Sequence, residues 1–131
     1  MTTPKRRKPL ARESAKRRAQ RQARKAAGEE ATRIGVCALF RLGGCSPGVV
    51  PHELVKQSAM RDARLVEGNV IALCSVHNSW VEDNPIEAQH FGVSIPRWVF
   101  DMHGQAAFDE AARLRSLVMM RLHGEPFWLA D

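Results

Sequence analysis

The sequence predicts one small α+β domain, a short β-hairpin followed by helices and stapled by a metal ion, with a basic arm in front. Three observations carry this reading. β-branched apolar runs near residues 49–55 and 69–74 are bounded by turn residues, cysteine and histidine recur at metal-ligand spacing, and positive charge is concentrated at one end. With 131 residues, 44% of them apolar and 26% charged, the chain has the composition of a single globular unit.

The composition also excludes several classes. No uncharged apolar run reaches the roughly 18 to 20 residues needed to cross a bilayer, and no apolar segment follows the basic N-terminus. Membrane spanning and secretion are therefore not expected, and the expected location is cytoplasmic. Three cysteines cannot all pair within one molecule, which leaves a metal site or buried thiols.

The net charge of +6 hides a division. Residues 1–28 hold eleven Lys or Arg and one acid, Glu13, a balance of +10; residues 29–131 hold nine against thirteen, a balance of −4. With Pro4 and Pro9 at its start and almost no apolar face, this arm is expected to be largely unstructured on its own, although its Ala, Gln, Lys and Arg content permits a helix. Its charge suits a polyanion, bound with steep salt dependence, while a merely solubilising tail is the alternative. A domain is expected over residues 29–104, and a C-terminal helix packing on it over 105–131.

Within the domain, Gly43-Gly44 and Ser46-Pro47-Gly48 mark turns. Val49 to Val55, interrupted by Pro51, reads as a first strand, and Asn69 to Cys74 as a second; the two are expected to pair as a hairpin. Ser75 is placed to cap a helix running to about Glu82. Asn84-Pro85-Ile86-Glu87 starts another, with Asn as cap and Pro at the first helical position, and Gly92 ends it. Ile95 to Phe100 reads as extended. Ala106 to His123 is the longest helix candidate, apolar at Phe108, Ala111, Leu114, Leu117, Val118 and Leu122 and stopped by Gly124 and Pro126.

Two constellations carry chemistry. Cys37 and Cys45 are separated by seven residues including two glycines, and Cys74 and His77 by two at a helix start. Three thiolates and an imidazole are the count and type that a tetrahedral structural zinc requires; three reduced core cysteines and an unrelated histidine are the alternative. His90, His103 and His123 have no partner at ligand spacing and read as surface or packing residues. The second constellation is His52-Glu53 on the first strand, Asn69 at the start of the second, and Asn78 on the following helix. Asn78 lies about 100° around that helix from His77, so it faces a different site.

Here the sequence resembles the HNH endonucleases, the ββα-metal or His-Me finger nucleases, and the small bacteriophage versions in particular. The resemblance covers roughly residues 33–100 through Cys37-x7-Cys45, His52-Glu53-Leu54, Asn69 to Val81, and Asn84-Pro85. It implies a metal-dependent DNA endonuclease or nickase with a ββα-metal core, a zinc-stapled N-terminal loop, flanking helices and a long C-terminal helix. Carried over, His52 and Asn78 fall on the ligands of one catalytic divalent ion, Glu53 on the general base, and Asn69 on the central asparagine that orients loop and base. Cys37, Cys45, Cys74 and His77 fall on the structural zinc positions.

The departures from the family are Glu53 in place of the usual histidine, His77 for a fourth cysteine, and Asn78 for the more frequent histidine. An unperturbed glutamate is a weaker base than histidine by about two pKa units, so the roles of His52 and Glu53 can also be exchanged. A His ligand favours Mn²⁺, Ni²⁺, Co²⁺ or Zn²⁺, with Mg²⁺ tolerated. DNA backbone contacts are expected from Lys5, Arg6, Arg7, Lys8, Arg17 and Arg18 of the arm and from Arg61 and Arg64 between the strands. Phage relatives also suggest packaging proteins such as a terminase as partners. Two competing classes are a non-catalytic zinc-stapled DNA-binding module and a packaging-associated protein that meets partners through Val118, Met119 and Met120.

Overall fold

The structure, a computed structural model, describes residues 13–130 except 57, 59 and 61. The expected contacts from Lys5, Arg6, Arg7, Lys8 and Arg61 lie outside the described residues. Helix α1 (Ala15–Thr32) leads into strands β1 (Val50–Glu53) and β2 (Val70–Leu73), then helices α2 (Ser75–Asp83), α3 (Pro85–His90), α4 (Arg97–His103) and α5 (Gln105–Met119). The architecture is mixed α/β, with helices around a two-stranded antiparallel sheet. No described helix is long and apolar enough to cross a membrane.

Both strands are shorter than their apolar runs. The pairing sets Val50 against Leu73, Pro51 against Ala72, His52 against Ile71 and Glu53 against Val70. Pro51 is tolerated because a two-stranded sheet consists of edges alone. Alternate residues leave opposite faces of the sheet. One face carries Pro51 and Glu53 and receives α1; the other carries His52 and receives α2.

The arm differs from its expectation. From Ala15 on it is helical, capped by Ser14, whose Oγ accepts from Arg17 N at 3.1 Å. The boundary expected at residue 28 falls inside this helix. α1 docks without large apolar side chains: its inward residues, Gln20, Arg24, Ala27, Gly28 and Ala31, recur at helical spacing. Gly28 is buried, and a Cβ there would stand 3.3 Å from Pro51 Cγ. Arg24 pairs with Asp62 of the interstrand loop. Small residues permit close approach, so a search for bulky apolar residues misses this face.

Several helix limits also differ. Cys74, not Ser75, caps α2, its Sγ accepting from His77 N at 3.4 Å. Asn84 makes no side-chain cap to α3; its Nδ2 donates back to Trp80 O at 2.9 Å. The segment expected to be extended at 95–100 becomes helical from Arg97, because Pro96 adopts the extended cap conformation and Arg97 pairs with Asp101 one turn on. The last helix stops at Met119 rather than His123. After it, 120–130 turns back, and Trp128 Nε1 donates to Gln89 Oε1 at 2.9 Å.

Two apolar clusters flank the hairpin. One gathers Leu54, Val55, Ala63, Ile95, Val99, Ala107 and Phe108; the other gathers Cys37, Leu39, Leu73, Cys74, Val81, Val93 and Val118. Val118 is therefore core, and only Met119 and Met120 of the expected contact surface are exposed.

Candidate functional site

The end of β2 and the start of α2 form half of a compact donor group. Cys74 closes the strand and His77 lies in the first helical turn, so both side chains turn toward one point. The other half comes from the loop after α1. Gly43 and Gly44 both have positive φ, which lets that loop reverse between Cys37 and Cys45. Ala38 N donates to Ala72 O at 2.8 Å and pins the loop along β2.

The sulfurs of Cys37, Cys45 and Cys74 lie 3.4, 3.5 and 3.2 Å from His77 Nδ1, and all four donor atoms fall within 4.8 Å of one another. A tetrahedral zinc with ordinary bond lengths places sulfur and nitrogen about 3.6 Å apart. The four residues could thus hold a metal such as zinc.

Electrostatics points the same way. Burial raises the Cys74 thiol, yet hydrogen bonds from His77 N–H and from Ser46 outweigh it and bring it down to about 6. Cys45 is pushed up to about 12, by loss of solvent at its sulfur and then by hydrogen bonds and charge from Cys74 and Cys37. Three sulfurs this close resist ionising together, a conflict that a bound dication removes.

About 100° around α2 from His77, Asn78 meets His52. His52 Nδ1 is 3.0 Å from Asn78 Oδ1, and His52 Nε2 donates to the Val93 carbonyl at 2.8 Å. The second bond fixes the tautomer, because a carbonyl only accepts. Nδ1 of the neutral ring then turns a lone pair toward an amide oxygen, acceptor against acceptor. Three arrangements satisfy the contact: the Asn78 amide turned to donate its N–H, a proton on Nδ1 donated to Oδ1, or a cation taking both lone pairs. Neighbouring ligands of an octahedral ion with bonds of about 2.1 Å stand about 3.0 Å apart, so the spacing fits a shared cation as well as it fits a hydrogen bond.

Asn69 is fully buried and pins the interstrand loop. Its Oδ1 accepts from Val55 N at 2.8 Å, and its Nδ2 donates to Val55 O and Ala63 O at 3.1 and 2.8 Å. These bonds make Asn69 a residue that orients the interstrand loop. Glu53 does not join the His52 and Asn78 pair. Its carboxylate binds Arg64 Nε at 3.0 Å on the face covered by α1, because adjacent strand residues point to opposite sides.

Of the basic residues, Arg17 and Arg18 are exposed on α1, while Arg64 is held by Glu53. Two further groups near these elements are not among the residues singled out above. The Val93 carbonyl is a backbone group 41 residues from His52 and carries no side-chain signal. Glu82, one turn beyond Asn78 on the same helix face, pairs with Lys56 at 2.9 Å; its four-residue spacing from Asn78 was the available sign. His90, His103 and His123 make packing contacts, His90 stacking on His123 and His103 meeting Phe127 edge-on.

Comparison with known proteins gives no match to a family model, a curated protein or a solved structure.

Proposed function

We propose that this protein is a metal-dependent DNA endonuclease or nickase of the HNH type, with its hairpin and α2 acting as a ββα-metal core. The observation that carries the reading is the 3.0 Å approach of His52 Nδ1 and Asn78 Oδ1, with the ring locked from behind by Val93. His52 and Asn78 would hold one divalent ion, which when bound polarises a phosphate and stabilises the departing 3′ oxygen. Mn²⁺, Ni²⁺, Co²⁺, Zn²⁺ and Mg²⁺ are the candidates, with the imidazole favouring the first four.

The protein's own groups do the rest. Both ring nitrogens of His52 are engaged, so it would serve as ligand, and Glu53 would reach a water there only by leaving Arg64 on the opposite face of β1. Arg64 Nε binds that carboxylate at 3.0 Å and would be free to exchange it for a phosphate. Cys37, Cys45, Cys74 and His77 would hold a structural zinc that fixes α2 against the loop. Exposed Lys16, Arg17, Arg18 and Lys25 present a basic helix face to the DNA backbone.

A second reading has its own observation. The Glu53–Arg64 ion pair lies away from the His52 and Asn78 pair, as expected of a DNA-binding module that has lost its chemistry. Plasmid nicking with Mn²⁺ or Mg²⁺ separates the two. The nuclease reading expects activity that EDTA abolishes and that H52A and N78A lower beyond the ~10- to 100-fold cost of losing an outer partner of a metal site. Mutants cutting at the parent rate overturn it, and DNA binding without cutting supports the module.

A further inference from the structure

A second site lies on the opposite side of the Cys37 loop and rests on different residues. An open cleft of ≈ 470 Å³ is lined by Arg41, Leu42, Phe91, Val118, Arg121 and His123 among others, and among the described residues no acidic one lines it. Its volume falls in the range of small-ligand sites, and its apolar floor under a cationic rim resembles their usual composition.

The aromatic wall is held rigid. Phe91 stacks on Trp80 with centroids 5.6 Å apart and planes 17° off parallel. His123 meets Phe91 edge-on at 5.7 Å and stacks on His90 at 4.9 Å, while His90 Nδ1 donates to Gly124 O at 2.9 Å. The Phe91 and His123 rings stand 82° apart, so a planar base would lie flat on one of them and meet the other with its edge.

The cationic rim carries an independent sign. Helix α5 ends in a reversal in which Leu122 N donates to Leu117 O at 2.8 Å and Arg121 N to Val118 O at 2.9 Å. That geometry needs a left-handed residue at Arg121, where φ is 59°, and glycine is the ordinary occupant. A strained arginine holds the position instead, with its side chain at the cleft. Arg41 joins it from the Cys37–Cys45 loop, its guanidinium 5.1 Å over the Phe40 ring. Strain retained at a cleft rim points to use rather than packing.

We infer that this cleft binds an unpaired nucleotide, its base against Phe91 and His123 and its phosphate between Arg41 and Arg121. The ligand class is a nucleoside phosphate, within a single DNA strand or free. The inference extends the nuclease reading by giving the protein a grip on a frayed or displaced strand, but the binding itself needs no cleavage.

The test is fluorescence anisotropy of the full chain with labelled oligothymidylate, an abasic oligomer of equal charge, and competing thymidine monophosphate, inorganic phosphate and an acidic peptide. The base-containing oligomer should bind about tenfold or more tightly than the abasic one, a single stacked base being worth that much. H123A should erase the difference. R121G, which also relaxes the turn, should weaken both strands without lowering the melting temperature. Competition by the monophosphate indicates a site for free nucleotide too, and its absence with retained discrimination indicates a strand site; both support the inference. Equal binding of the two oligomers, unchanged discrimination in H123A, or an acidic peptide competing as well as the oligonucleotide overturns it. H52A and N78A should cut nothing yet discriminate normally, so failure of the nuclease reading and failure of this one are separable.

Discussion

Replacing Asn69 by alanine should be among the most destabilising single changes in the chain. The side chain satisfies three backbone groups, Val55 N–H, Val55 C=O and Ala63 C=O, at positions that are themselves fully buried. The Ala63 carbonyl keeps a second donor, Val66 N at 3.3 Å, so two groups would be left without partners among the described residues. Each buried orphan costs about 1–3 kcal/mol, and a small cavity adds to it, giving a loss of about 3–5 kcal/mol. Against a total stability of about 5–15 kcal/mol, that is about a fifth or more of the margin. N69D should be no better, because it keeps the acceptor for Val55 N–H but sets a second oxygen against two carbonyls. Urea unfolding followed by tryptophan fluorescence, on metal-saturated protein, measures both. N69A within about 1 kcal/mol of the parent would refute the claim that this side chain holds the interstrand loop.

Other consequences follow from the same geometry. Purified protein should carry about one tightly held zinc per chain by elemental analysis, and C74S should lose it; less than half an equivalent in the parent argues against a four-donor site. Gly28→Leu should force α1 off Pro51 and cost about 1–3 kcal/mol in urea, as overpacking does, whereas an unchanged midpoint would mean that α1 does not dock. The Arg113 hydrogen bond, opposed by burial and aided by Phe127 N–H, holds Glu110 below its usual value of 4.5. Its stabilisation is therefore present above the unfolded pKa and lost as pH falls through the lower folded one. E110Q should be less stable than the parent at pH 7 and converge with it in acid; a pH-independent gap would contradict that assignment. Charge removal at Arg17 and Arg18 should reduce the slope of log affinity against log salt by about two, one per lost phosphate contact, and an unchanged slope would remove α1 from the DNA interface.

The hairpin, the helix after it and the cysteine–histidine group were legible because each rests on local pattern. β-branched runs bounded by glycines gave the strands, and the Cys74-x2-His77 spacing across a strand-to-helix junction placed two donors together. The approach of His52 to Asn78 was legible only through the order of strand, turn, strand and helix, since residues 26 positions apart share no local signal. The docking of α1 was hidden for a different reason. A face made of Ala27, Gly28 and Ala31 gains its contact from closeness rather than apolar bulk, and the Arg24–Asp62 pair joins segments 38 residues apart. The helix at Arg97 was missed because Pro96 was read as continuing an extended run, although proline in that conformation equally well opens a helix. Glu53 shows what residue order alone omits: its neighbour in sequence is on the other face of the strand, and its working partner is Arg64.

The account turns on whether the imidazole of residue 52 and the carboxamide of residue 78 share a cation. Crystals soaked in Mn²⁺, with anomalous data collected near the manganese edge, answer this directly. The account predicts one strong peak about 2.2 Å from both His52 Nδ1 and Asn78 Oδ1, with His52 Nε2 still donating to the Val93 carbonyl. A featureless map there, with the Asn78 amide turned so that its nitrogen donates to the ring, would contradict it.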